Sequence, residues 1–203
     1  MAEFLSLYGK NPNQKDIEKI ADVFENGGLV IYPTDTVYAL GCLTNNASAL
    51  KRLEKIKGVR LINAPLSFLF SSISELSKYV SPLDNAQFRI LNRYLPGPFA
   101  FLLKASKKLP KPFEKRKTIG CRIVDHPFLE CLLPHLSAPL ITSSLHDLDV
   151  ILDYTTDPQE LFFRWSERID LFVDCGYGGN KPSTVIDLSE SPFSVIRQGL
   201  GEL

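Results

Sequence analysis

The chain has 203 residues, 44% hydrophobic and 23% charged, with a formal net charge of zero at pH 7. That length supports one domain with a sizeable core, so no disulfide or metal staple is required, and the balanced charge gives no global attraction to nucleic acid. No apolar stretch approaches the about 20 residues of a membrane span, and Met1-Ala2-Glu3-Phe4 lacks a basic-then-apolar signal layout, so a cytosolic protein is expected.

Residues 1–14 read as an irregular or edge segment. Asp16 to Asn26 reads as a helix, with Ile17, Ile20, Ala21 and Phe24 on one face, and Gly27-Gly28 stops it. Leu29 to Pro33 is a short buried strand that Pro33 ends, followed by a polar loop carrying Thr34, Asp35, Thr36 and Tyr38. Asn46 caps a helix over 47–57, and Leu66–Phe70 is a second buried strand. Helices follow near 73–79 and 84–94, then the Pro96-Gly97-Pro98 break and a strand over 99–103. A basic run over 104–117 leads into a strand over 119–124, a helix over 127–133 and the strand Pro139–Ile141. After a polar loop over 146–156, Asp157-Pro158-Gln159-Glu160 reads as a capping box opening a helix over 158–166. Strands 170–174, 184–188 and 193–197 finish the chain, with the glycine-rich loop Gly176–Pro182 between the first two. The pattern predicts one mixed α/β domain, and the late strands without helices between them predict antiparallel pairs.

Several groups can carry chemistry. A strand delivering hydroxyls and a carboxylate at its C-terminal end, as 29–38 does, is how open α/β sheets build ligand sites; a Thr- and Asp-closed turn is the alternative. Lys57 and Arg60 either complement a helix C-terminus or grip one polyanion. Thr142-Ser143-Ser144 either closes a turn or offers hydroxyls to a ligand. Arg122, alone in an apolar strand, needs either a carboxylate partner in the fold or an anionic ligand. The run over 104–117, with Lys107, Lys108, Lys111, Lys115, Arg116 and Lys117, is either a solvated loop or an RNA-facing patch, and only Phe113 is interleaved for stacking. Cys42, Cys121, Cys131 and Cys175 form no Cys-x-x-Cys pair, and the scattered His126, His135 and His146 add no metal-ligand spacing, so no metal site is expected.

The run Tyr32-Pro33-Thr34-Asp35-Thr36-Val37-Tyr38-Ala39-Leu40-Gly41 resembles the signature of the YrdC/YciO family of threonylcarbamoyl-adenylate synthases, with Ala39 at the usual glycine. The likeness covers 15–203, leaving 1–14 as an N-terminal segment, and Lys115–Gly120 and Val195–Gly199 are most similar to the YciO branch. It implies a single-domain α/β fold, a twisted open sheet of mixed parallel and antiparallel strands with helices on its faces. It also implies the condensation of L-threonine, bicarbonate and ATP, with Mg²⁺, to threonylcarbamoyl-AMP and pyrophosphate for tRNA modification. Carried onto this sequence, Thr34, Arg122 and Ser144 hold threonine and Tyr38 shapes its pocket. Lys57 and Arg60 are implied as the catalytic cations on the departing pyrophosphate, and Ser144, His146, Ser183, Thr184 and Arg197 line the nucleotide. Besides Ala39, the chain departs from the family pattern at three points. Lys57-Gly58-Val59-Arg60 has one extra residue between its cations, Ala64-Pro65-Leu66 lacks a lysine, and His146 stands where asparagine is usual. A non-catalytic module binding double-stranded RNA or tRNA on the same fold is one alternative, and an enzyme acting on a related acyl-adenylate or nucleotide is another.

Overall fold

Helix α1 (Gln14–Glu25) forms because Asn13 accepts the Lys15 amide at its start and Ile17, Ile20, Ala21 and Phe24 make one buried stripe. It ends where Gly27, at φ 84°, turns the chain so that the Gly27 and Gly28 amides return to Phe24 and Val23 carbonyls. The protein is described by a computed structural model over residues 2–7, 12–145 and 154–203.

Ten strands follow or flank that helix: β1 (Glu3–Ser6), β2 (Val30–Tyr32), β3 (Ala39–Leu43), β4 (Ser67–Leu69), β5 (Phe99–Lys104), β6 (Thr118–Arg122), β7 (Leu140–Ser144), β8 (Leu171–Asp174), β9 (Thr184–Asp187) and β10 (Ser194–Arg197). They form one sheet in the order β1-β8-β2-β3-β7-β4-β6-β5-β9-β10. Pairs β1/β8, β2/β8, β4/β6 and β5/β9 are parallel and the others antiparallel, so the fold is a single α/β domain built on a mixed open sheet. The expectation for the late strands is met only in part. β9 and β10 pair antiparallel, whereas β8 runs parallel between β1 and β2, far from β9.

Strand β3 falls where the sequence reading placed the polar loop: the loop is only a tight turn over 33–38, after which the chain returns antiparallel to β2. Segment 3–6 is a true edge strand. At α6 (Pro158–Trp165) the Asp157 side chain caps the Gln159 amide at 2.8 Å, while Glu160 pairs with Arg164, so no reciprocal box forms there. The reciprocal box sits at α4 (Asn85–Tyr94), between Asp84 and Gln87.

One sheet face carries Leu40, Cys42, Phe68, Phe101, Cys121 and Ile141, buried under α2 (Ala47–Lys57), α4 and α6. On the other face α1 and α5 (Pro127–Leu132) cover Val30, Leu43, Leu69, Leu140 and Val173. Among the described residues, that second cluster takes in Leu69 at the end of β4 but no residue of β6, β5 or β9. The part of the face beyond it holds the candidate site. No helix among the described residues is long and apolar enough to cross a membrane.

Candidate functional site

The turn between β2 and β3 sets the first wall. The Thr34 hydroxyl donates to the Val37 carbonyl at 2.7 Å and accepts the Thr36 amide at 3.1 Å, so it is spent on closing the turn. This turn aims Asp35 at β6. Arg122 Nη2 donates to Asp35 Oδ1 at 2.6 Å and to Thr36 Oγ1 at 3.3 Å, with both ion-pair side chains over nine-tenths buried. The second Asp35 oxygen accepts the Asp125 amide at 3.3 Å. Burial pulls the Arg122 pKa down, and Asp35 pushes it back up.

Next to this pair lies a cavity of about 150 Å³. One register row crosses four strands there, Gly41 opposite Thr142, Thr142 opposite Ser67, Ser67 opposite Gly120, and Thr142 and Ser67 of that row line the cavity. Period-two alternation puts these residues on one face, and their small side chains leave the depression. A Cβ on Gly41 would lie 2.7 Å from the Tyr32 hydroxyl and 2.9 Å from the Ile141 carbonyl, so Tyr32 reaches across the sheet only because residue 41 is glycine. Pro65 and Leu66 form one wall, Ser183, Val185 and Arg197 another, and Ser144 lies at the end of β7.

Two guanidiniums, Arg122 and Arg197, line the cavity, and Arg197 adds to the depression of the Arg122 pKa. Asp35 neutralises one of them, so the cavity keeps a positive excess that suits an anion. Arg122 Nε is buried with no hydrogen-bond partner among the described residues, whereas the Thr142 hydroxyl faces the Tyr32 hydroxyl, which hydrogen-bonds to it. Buried polar atoms are nearly always paired, so an unpartnered guanidinium nitrogen on a cavity-lining residue points to a ligand.

The structure thus brings together Arg122, Ser144, Ser183 and Arg197 of the residues implied from sequence. Others have different tasks or positions. Tyr38 is stacked on Phe172 at 5.3 Å in the opposite core, and its hydroxyl donates to the Gly176 carbonyl at 2.7 Å. It therefore anchors the glycine-rich loop and is not among the described residues lining the cavity. Thr34 and Thr184 are absent from that lining too. The fully buried Thr184 donates to the Gly201 carbonyl at 2.7 Å and accepts the Gly199 amide at 2.9 Å, tying the C-terminal segment to β9. Arg197 donates to the Ser183 carbonyl from Nε at 3.2 Å and Nη2 at 2.8 Å.

Lys57 ends α2, half-buried, with its pKa lowered by that burial, and Arg60 is exposed in the following loop. Neither is among the described lining residues. His146 lies outside the described residues. In the basic run Lys107, Lys108, Lys111, Lys115 and Lys117 are exposed. Arg116 is instead bonded to the Leu61 and Ala64 carbonyls, and Phe113 is fully buried against Phe68, so neither is free for a nucleic acid. Burial pushes the Cys42 thiol up to about 12, and among the described residues no group of three or more His, Cys, Asp or Glu could hold a metal ion.

Sequence reading offered Thr142 as a ligand hydroxyl but missed Asp35 as the partner of Arg122 and Ser67 as a lining residue. The Thr-Asp-Thr turn was a signal for the first. Ser67 becomes visible only once the strand register is known.

Residues 22–199 match the family model Sua5_yciO_yrdC, described as "Telomere recombination". The chain is 35% identical to YciO of Escherichia coli strain K12 over 100% of its own length and 98% of that protein. The crystal structure of E. coli YciO superposes with a TM-score of 0.90 over 100% of this chain and 98% of the other. A threonylcarbamoyl-AMP synthase of Methylobacillus flagellatus is 32% identical, covering 80% of this chain and 89% of that one. The crystal structure of P. abyssi Sua5 complexed with L-threonine matches at 25% identity and a TM-score of 0.85, covering 97% of this chain and 57% of that one. The chain belongs to the Sua5/YciO/YrdC family, which includes threonylcarbamoyl-AMP synthases.

Proposed function

We propose that the protein is a cytosolic nucleotidyltransferase condensing L-threonine, bicarbonate and Mg-ATP to threonylcarbamoyl-AMP and pyrophosphate, feeding tRNA modification. The observation that carries this reading is the buried Arg122 Nε, without a hydrogen-bond partner among the described residues, on a cavity lined by two guanidiniums. Its volume of about 150 Å³ lies below the roughly 300–1,000 Å³ of sites for drug-sized ligands. It suits an amino acid, with the nucleotide extending over the open sheet face towards Ser183 and Arg197.

In this scheme Asp35 fixes one edge of the Arg122 guanidinium, leaving Nε for the threonine carboxylate. The threonine amine and bicarbonate form a carbamate with loss of water. A carbamate oxygen then attacks the α-phosphorus of ATP, the bond from that phosphorus to the bridging oxygen breaks, and pyrophosphate leaves. No side chain acts as a covalent nucleophile. The work of the protein is alignment and charge neutralisation. The divalent ion enters with the triphosphate as part of the substrate. Lys57 and Arg60 meet the pyrophosphate through movement of residues 58–60, ahead of the Leu61–Ala64 stretch that Arg116 holds.

Purified protein with Mg-ATP, bicarbonate and L-threonine tests this. Threonine-dependent threonylcarbamoyl-AMP and pyrophosphate are expected, and no product at saturating substrates would overturn the reading. The exposure of the five lysines of the basic run supports the second reading, an RNA-binding module. Salt-sensitive RNA binding lost on changing those lysines to glutamine, without any product, would select it.

A further inference from the structure

Arg116 has a role that its place in a basic run conceals. It stands two residues before β6 begins and six before Arg122 on the same strand. Its guanidinium turns away from solvent across the chain. Nη2 donates to the Leu61 carbonyl and, at 2.6 Å, to the Ala64 carbonyl. Both acceptors lie in the loop joining α2 to β4. At its start that loop carries Arg60, and at its end Pro65 and Leu66, which line the cavity. The guanidinium lies 5.8 Å from the centre of the buried Phe113 ring, which packs edge-on against Phe68 at 5.2 Å. Its pKa is lowered by burial, and among the described residues no carboxylate is paired with it. A half-buried cation placed on two backbone carbonyls is desolvated at a cost that a solvated surface arginine avoids.

We propose that Arg116 is a positioning residue of the site: its guanidinium clamps the α2–β4 loop, fixing the Pro65–Leu66 wall and the approach of Arg60 relative to Arg122. This rests on the synthase reading for its catalytic consequence, but not for the clamp itself. The planar fork is the relevant property, because one nitrogen meets two carbonyls while the flat face lies near Phe113. Lysine keeps the charge and loses that geometry. A displaced wall misaligns the bound threonine, and a misplacement of about 1 Å can cost about 100-fold in rate.

The test combines hydrogen–deuterium exchange with turnover in wild type, Arg116→Lys and Arg116→Ala. In Arg116→Ala, exchange of the amides over 59–66 should rise at least about tenfold. The amides of α1 and β8 should keep their wild-type rates, which shows that the variant is folded. Product formation should fall at least about tenfold in kcat, with a smaller change in the KM for threonine. Methylguanidine should restore part of both in Arg116→Ala, and Arg116→Lys should remain loose and slow. Unchanged exchange over 59–66 would overturn the clamp. A loosened loop with full turnover would overturn its link to the site. If wild type makes no product, the synthase reading fails by itself, and the exchange measurement still decides the clamp.

Discussion

Two neighbouring rows of one sheet face have opposite fates. Leu43, Leu140 and Leu69 lie side by side on β3, β7 and β4 and are fully buried under α1 and α5. Two residues along the same three strands stand Gly41, Thr142 and Ser67, of which Thr142 and Ser67 line the cavity. The backbone ladder is continuous through both rows, so hydrogen bonding does not separate core from site. Side-chain size and polarity do. Large aliphatic side chains recruit helices by hydrophobic burial, whereas glycine and hydroxyl residues leave a depression whose polar atoms need a partner. Tyr32 marks the border: its ring packs against Phe24 of α1 at 6.1 Å, and its hydroxyl lies over Gly41 beside the cavity floor.

The largest effect should follow from breaking the polar side of this boundary. Arg122→Ala leaves Asp35 buried without its cation, and loss of one partner of a buried pair costs about 3–5 kcal/mol. Arg122→Lys keeps the charge and folds more readily, and its KM for threonine should rise far more than its KM for ATP. Equal increases for both substrates would contradict the carboxylate assignment. In the apolar row, Leu140→Ala should cost about 2–5 kcal/mol in urea unfolding through the cavity it leaves. Its KM values should stay near wild type, because Leu140 touches the core alone. At the border itself, Gly41→Ala forces the Tyr32 hydroxyl or the Ile141 carbonyl to move, an overpacking penalty of about 1–3 kcal/mol. It should impair both stability and threonine use, and a change in only one would mean that the two rows are less coupled than the geometry indicates.

The smallest effect concerns pH. His126 Nδ1 accepts the Phe128 amide at 3.3 Å to cap α5, and burial lowers its pKa, with Asp35 first among the opposing charges. A depressed folded-state pKa means that the unfolded chain binds the proton more readily. The stabilisation is therefore complete above the ordinary histidine value, near 6.5, and is lost as pH falls below it. His126→Asn keeps an acceptor at the cap and should flatten that part of the pH–stability curve, by no more than about 1 kcal/mol. An unaltered slope would place the acid sensitivity in the carboxylates instead.

The legibility of the chain follows the same division. Elements with their own periodicity and caps, such as α1 with its Ile17–Phe24 stripe and Asn13, can be read locally. Strand β3 could not, because Ala39–Leu43 continues a motif whose polar part suggests a loop, and its strand character comes from pairing with β2 and β7. Within the site, Arg122, Ser144, Ser183 and Arg197 carry charge or hydroxyls at strand ends and stand out in sequence. Thr142 stands out too, as one of three hydroxyls ending a strand, whereas Ser67 looks ordinary until the register puts it between Thr142 and Gly120. Thr34, Tyr38 and Thr184 were legible as polar groups, but sequence does not show that backbone carbonyls already occupy them.

A crystal structure of the protein with L-threonine bound tests the central claim most directly. The account predicts the threonine carboxylate within hydrogen-bond distance of Arg122 Nε, with Thr142 and Ser144 beside the amino acid. Threonine held by Lys57 and Arg60 outside the cavity, with Arg122 Nε still unpartnered, would contradict it.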